Sequence, residues 1–264
     1  MKTLTWRSPL IVLKVGAFMT LRLGFSLFLT VIAFGLKSQA AFAKNLNFGI
    51  AETTSSPLYN SSTKNKPGIL PDFFQQLASE LHGKSNITIT PRGRIAMMLL
   101  YGELDAYCYS RPDWLEHSSE LHWSVPIFSD RNVLVSRQET PAIKNYSDLK
   151  DKKVATVQGF QYPELEETFA ANPLMRSDSV DVATTLEKLE LKRVDYALLN
   201  DLYFQYFKKT HPKVRLNEKF FVIRTFDVFC ALSPKAAFTV PEFNAAVEKL
   251  KTTKKIQELI EKYK

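Results

Sequence analysis

Cysteine is nearly missing from this chain: only Cys108 and Cys230 occur in 264 residues. Two thiols cannot build a disulfide-framed miniprotein or a four-cysteine zinc site. Nine glycines and thirteen prolines are too few for a collagen-like or low-complexity polymer. The four histidines, His82, His117, His122 and His211, lack metal-ligand spacing, and no G-x-S-x-G, P-loop or G-x-G-x-x-G run occurs. Neither a metal nor a cofactor is therefore expected, and no motif argues for an enzyme. Acidic residues are absent from the first 43 positions, which hold Lys2, Arg7, Lys14, Arg22 and Lys37. The rest of the chain carries 30 basic against 27 acidic residues, so the formal charge of +8 belongs mostly to the leader. Lysines 150–153 and 251–255 alternate with acids or mark turns, as on a solvated face, and no nucleic-acid partner is expected.

No apolar run reaches membrane-spanning length. Leu23 to Leu36 is interrupted only by Gly24, Ser26, Thr30 and Gly35. Those 14 residues would rise about 21 Å as a helix, short of the roughly 30 Å hydrocarbon core. Lys14 and Arg22 precede the run, and Ala41-Phe42-Ala43 follows it in the A-x-A spacing that signal peptidase reads. Residues 1–43 are read as a signal peptide cleaved after Ala43, although the stretch before Leu23 is long and a start at Met19 would be more ordinary. No cysteine stands at a lipobox position, so a soluble periplasmic protein is expected. Export permits a disulfide between Cys108 and Cys230; two free buried thiols are the other reading, since pairing depends on geometry.

The remaining 221 residues repeat one pattern. Leu46, Phe48 and Ile50 alternate as in a strand, and Glu52 to Lys66 reads as a loop. Phe73, Leu77 and Leu81 mark a helical face after Pro71-Asp72. Ile87 and Ile89 alternate again; Ile95, Met98 and Leu99 form a second helical face ending at Gly102; Leu104 to Cys108 reads as a strand. This strand, helix, strand, helix, strand order indicates an α/β layer with a largely parallel sheet. The second half follows suit, with a strand at Lys153–Val157, helices at Pro163–Phe169 and around Val182, Leu186 and Leu189, and a strand near Val194–Leu199. Asp105 and Asp195 stand 90 residues apart at matching places. Phe220 to Leu232 is again strand-like, and Phe243, Val247, Leu250, Ile256, Leu259 and Ile260 give a closing helical pair after Pro241. With no third lobe following, that pair is expected to cross back to the first. Two lobes joined by crossovers can bend there, and small ligands favour clefts between domains.

At this level the chain resembles the polar-amino-acid class of periplasmic solute-binding proteins, bacterial extracellular solute-binding protein family 3. The resemblance is carried by Gly68-Ile69-Leu70-Pro71-Asp72-Phe73-Phe74, Gly102-Glu103-Leu104-Asp105-Ala106 and Pro126-Ile127-Phe128. It continues through Asp148-Leu149-Lys150-Asp151-Lys152-Lys153-Val154, Gln158-Gly159, Arg193-Val194-Asp195 and the stretch from Phe243-Asn244 to Lys262-Tyr263. It implies a type II two-lobed periplasmic-binding-protein-like fold, each lobe a mixed, mostly parallel sheet flanked by helices, with two hinge crossovers. Lobe one is expected to comprise residues 44–130 plus 227–264, and lobe two residues 131–226. The implied function is capture of a small polar ligand, amino-acid-like or another small organic molecule, and its delivery to an ABC permease in the inner membrane. A monomer is expected. The alternatives are an exported dehydratase-like enzyme, with Glu52, Glu103 and Asp201 as first suspects, or a sensing module for a membrane signalling partner.

The ligand residues of that family are replaced. Amino-acid-binding members carry Thr and Arg nine and twelve residues after the aspartate matched by Asp105; this chain has Trp114 and His117. The second lobe usually supplies an Asp for the ammonium group where Asn200 stands, with Asp201 next to it. Losing two charge-assisted grips would remove roughly 3–6 kcal/mol, about two to four decades of affinity. An altered ligand or substitute residues are expected. The candidates are Tyr109, Ser110, Arg111, Trp114 and His117 after the third strand, Arg92 and Arg94 before a helix, Phe160 and Gln161 in the second lobe, and Asn200 with Asp201. Arg111 is the leading candidate for an anionic group, because it directly follows a strand end.

Overall fold

A computed structural model describes residues 44–63, 67–160 and 162–263. The leader 1–43 with its expected cleavage site, and Gln161, lie outside the described residues. No described helix is long and apolar enough to cross a membrane.

Among the described residues the strands are β1 (Lys44–Ala51), β2 (Gly83–Thr90), β3 (Ala106–Ser110), β4 (His122–Trp123), β5 (Phe128–Ser136), β6 (Val154–Val157), β7 (Arg176–Ser179), β8 (Tyr196–Asn200) and β9 (Phe221–Leu232). The α-helices are α1 (Ile69–Glu80), α2 (Ile95–Tyr101), α3 (Glu166–Ala171), α4 (Val182–Glu190), α5 (Asp201–Thr210), α6 (Val240–Thr252) and α7 (Lys255–Tyr263). The sheet order is β2-β1-β3-β9-β5-β8-β6-β7, with β4 also on β9. β1 is parallel to β2 and β3, and β6 is parallel to β7 and β8. Between these parallel groups, β9 runs antiparallel to both β3 and β5. Its far end, Phe229 to Leu232, pairs with β3, and Phe221 to Val228 pairs with β5.

Each group of strands is covered on both faces, as parallel sheets require. Leu46, Phe48 and Ile50 of β1 bury against Phe73, Phe74 and Leu77 of α1 and against α6 and α7; Phe48 and Phe74 stack with ring centroids 4.5 Å apart. The opposite face is closed by Ile95 and Leu99 of α2 with Leu104 and Tyr107. In the second group, α4 and α5 cover Val133, Val135, Ala197 and Leu199, while Leu165 and Phe169 cover Leu134 and Leu198. The closing pair α6–α7 thus packs on the first group, reached through β9.

Several elements begin elsewhere than the hydrophobic spacing suggests. The first strand after α2 starts at Ala106 rather than Leu104. Gly102 caps α2 in the left-handed conformation (φ 80°), and the N–H groups of Glu103 and Leu104 both donate to the Met98 carbonyl, so the chain is still turning there. Helix α1 begins at Ile69, ahead of Pro71, because a first-turn proline gives up no intrahelical bond. Gly68 before it (φ 122°) lies so close to Leu58 that a Cβ would sit 2.4 Å from the Leu58 carbonyl oxygen. The stretch expected as one helix from Pro163 splits into a 3-10 turn, Pro163–Leu165, and α3.

The matched aspartates do the same work twice. Asp105 accepts from the backbone N–H groups of Asn47 (2.7 Å) and Ala237 (2.8 Å), and Asp195 accepts from that of Lys153 (2.8 Å). Each carboxylate thereby ties the strand after a helix to the start of the neighbouring first strand. Cys108 and Cys230 face each other across β3 and β9 and form a disulfide, with Cα atoms 3.9 Å apart. Asp105 is buried and Asp195 half-buried. Asp105→Ala, which strands two donors, is expected to cost about 2–4 kcal/mol in urea unfolding, and Asp195→Ala only about 1 kcal/mol; equal losses would contradict this ranking.

Candidate functional site

The C-terminal ends of β1, β2 and β3 face the second group of strands, and side chains from both sides meet there. Ser55, in the loop after β1, and Tyr203 of α5 are joined: the Ser55 backbone N–H and hydroxyl lie 3.4 and 3.3 Å from the Tyr203 Oη. The Tyr203 hydroxyl donates in turn to the Ser55 carbonyl at 3.3 Å. Arg92, just past β2, places its guanidinium over the ring of Phe160, 5.8 Å from the centroid, and donates to the Trp114 carbonyl at 3.3 Å. The Ser55–Tyr203 and Arg92–Phe160 contacts link residues more than 60 positions apart.

Tyr109 is the pivot of the cluster. It sits at a register shift in β3 with φ 58°, an unusual conformation for a residue with a side chain. Such a bulge re-aims a side chain, and the Tyr109 hydroxyl donates to Asp130 Oδ2 at 2.6 Å. Burial raises the Asp130 carboxyl above its ordinary value, opposed by hydrogen bonds from Tyr109 and from the backbone of Arg131 and Leu202. Burial likewise raises Tyr109 well above the usual phenol range, with the Asp130 charge adding to the effect. Tyr107 and Tyr203 are also raised by burial, Tyr107 being partly offset by Arg92 and Tyr203 by its bond to Ser55. At neutral pH all three phenols therefore remain protonated donors.

The expected site residues divide into groups. Tyr109, Trp114 and Phe160 stand with Arg92 in this region; Tyr109 and Trp114 have ring centroids 6.4 Å apart. Ser110 is buried, and its hydroxyl has no partner among the described residues. Arg111 is occupied: Nε bonds Asp113 (2.9 Å), Nη1 donates to the Asp227 carbonyl (3.1 Å), and the guanidinium lies over Trp114 and Phe226. Asp201 accepts from Arg131 and from Gln205 (2.8 Å), and Asn200 donates to the Asn132 side chain (3.1 Å). His117 is exposed, 2.8 Å from Glu120, and Arg94 is exposed. Of the carboxylates suspected in an enzyme, Glu103 precedes β3 at the opposite end of that strand from Arg111, and Glu52 is exposed at the end of β1. No cluster of three or more metal-ligating side chains occurs among the described residues. A groove of about 540 Å³, lined by Arg131, Asp201, Gln205, Lys208 and Lys209, runs along α5.

Sequence reasoning missed Ser55, Tyr107, Asp130 and Tyr203. Tyr107 falls within the strand read at Leu104 to Cys108 and Asp130 lies just past Pro126-Ile127-Phe128, but strand alternation carries no sign of which tyrosine a bulge will turn. Tyr203 lay on a helix whose apolar face had not been recognised.

Solved structures of this fold are numerous and distant in sequence. An ancestral arginine-binding protein bound to arginine superposes with a TM-score of 0.66 at 18% identity, covering 84% of this chain and 99% of its own. The fold is that of the two-lobed solute-binding proteins. The L-cystine solute receptor of Neisseria gonorrhoeae, in its unliganded open conformation, gives 0.62 at 19% identity over 83% and 92% of the two chains. An ancestral amino-acid-binding protein, AncCDT-1, described as a precursor of cyclohexadienyl dehydratase, gives 0.63 at 19% over 83% and 94%. No family model matches the sequence, and no curated protein does.

The bond from Tyr109 to Asp130 makes a testable pH signature. A carboxyl raised by folding contributes most below its unfolded value, about 4, and that contribution is lost as pH rises through the folded value. Tyr109→Phe removes a support of the ionised form. The variant is expected to lose about 1.5–3 kcal/mol at pH 7, with the deficit shrinking toward pH 4 as Asp130 protonates. A pH-independent deficit in chemical unfolding would contradict this account.

Proposed function

We propose that this protein is an exported solute receptor that closes its two lobes on a small organic ligand and presents the closed form to an ABC permease in the inner membrane. The observation that carries this reading is the meeting of Ser55 with Tyr203 and of Arg92 with Phe160 across the interlobe face. The lobes divide at the crossing of β5 and β9, giving residues 44–130 plus 227–264 and residues 131–226. Only a ligand that touches both lobes favours the closed state, and only through the extra contacts it makes there. Structural neighbours that bind arginine or serve as a cystine receptor support ligand capture. The leader supports export, with cleavage after Ala43 leaving Lys44, the first residue of β1, at the new terminus. The protein is read as a binder rather than an enzyme because the sequence carries no catalytic motif and structural neighbours bind arginine or serve as a cystine receptor.

The test is a thermal-shift screen of amino acids, organic acids, amines and short peptides, followed by small-angle scattering and by mass analysis of the ligand after incubation. A several-degree rise for one class, with a smaller radius of gyration and unaltered ligand, is expected. No shift for any class, or chemical conversion of the ligand, would overturn the reading. Tyr203→Phe, which unlinks the lobes at Ser55, is expected to enlarge the ligand-free radius of gyration and weaken the selected ligand by about two- to tenfold. Mass spectrometry of periplasmic protein should give a chain beginning at Lys44.

A further inference from the structure

The charges around the cleft are unevenly matched. Asp113 pairs with Arg111, Glu164 with Arg224 (3.2 Å) and Asp201 with Arg131, while Asp130 accepts from Tyr109. Arg92 differs. It is half-buried, makes no ion pair among the described residues, and spends one donor on the Trp114 carbonyl. Its guanidinium also lies over the Phe160 ring, which is 37% exposed on the opposing lobe. A partly desolvated guanidinium with spare forked donors fits a planar carboxylate bidentately. One uncompensated positive charge balances one carboxylate; a phosphate dianion would leave a net negative charge behind.

The position expected for an ammonium group has no free carboxylate. Asn200 is turned to Asn132, and the neighbouring Asp201 is already paired with Arg131. Glu52, at the rim, is exposed to solvent. Arg92 donates to the Trp114 backbone carbonyl, and the Trp114 ring stands with that of Tyr109, continued by Phe128 at 6.0 Å from Tyr109 and by Phe226 at 5.4 Å from Trp114. An aromatic wall of this kind suits a flat apolar body.

We propose that the ligand is a small aromatic or similarly flat monocarboxylate, its carboxylate held by Arg92 and its face against Tyr109, Trp114 and Phe160, with no requirement for an α-amino group. This rests on the interlobe binding reading above and narrows it. Calorimetry of the purified protein with 3-phenylpropanoate, phenylalanine and phenethylamine separates the chemistry. The carboxylate without an amine is expected to bind at least as tightly as the amino acid, and the amine not at all. Arg92→Gln is expected to weaken the carboxylate by about ten- to a hundredfold, with Arg92→Lys intermediate and Arg215→Gln unchanged, all with the parent's melting temperature in the absence of ligand. Binding of phenethylamine, a tenfold preference for phenylalanine, or an Arg92→Gln affinity equal to the parent's would overturn the proposal. So would silence from all three compounds while another class in the wider screen binds and closes the lobes, a result that leaves the receptor reading standing. Failure of every class would remove both.

Discussion

Strand β9 belongs to both groups of strands, and the remaining architecture depends on that sharing. Twelve residues carry the chain from pairing with β5 to pairing with β3. Because every backbone donor in a buried strand needs a partner, neither group can complete its ladder without β9. The same strand holds Cys230, bonded to Cys108 of β3, and it leads to α6 and α7, which complete the first core. The change of partner along β9 falls between Val228, opposite Phe128 of β5, and Phe229, opposite Ser110 of β3, two residues past the Asp130–Phe226 pair.

That sharing bears on the chemistry found where the two groups of strands meet. Asp130 is buried where the two groups of strands meet, so its carboxylate has to be satisfied locally, and Tyr109 supplies the donor from a strained bulge. The hydrogen bond offsets both costs: the unusual backbone of Tyr109 is tolerated because its hydroxyl stabilises a carboxylate that burial would otherwise neutralise. Arg131, the next residue along β5, is drawn to Asp201 on the far side. Tyr109 and Asp130, and Arg131 and Asp201, are thus committed to each other, whereas Arg92 makes no ion pair among the described residues.

Much of the fold was legible in the residues. Alternation placed β1, β2, β6 and β9, helical spacing placed α1, α2, α4, α6 and α7, and the repeated Gly102–Asp105 and Arg193–Asp195 segments announced two units of similar design. Strands β4, β5 and β7 and helix α5 were not anticipated. β7 is the polar edge strand Arg-Ser-Asp-Ser, which lacks the apolar alternation that marks a half-buried strand. Tyr203, through which α5 reaches Ser55, was lost with that helix.

The site was less legible than the fold, for a physical reason. Periodicity is a local property of the chain, so the sequence alone determined the strand and helix order, the doubled α/β plan, the basic leader and the departure from the usual ligand residues at Trp114, His117 and Asn200. Which charge is spent and which is spare depends on partners distant in sequence. Arg111 has Asp113 and Trp114 close by in the sequence, but only packing in three dimensions adds the Asp227 carbonyl and the Phe226 ring to it and leaves Arg92 facing Phe160. Tertiary structure decided that difference because an ion pair is set by distance in space, and spatial neighbours at a cleft come from strand ends that no local pattern connects.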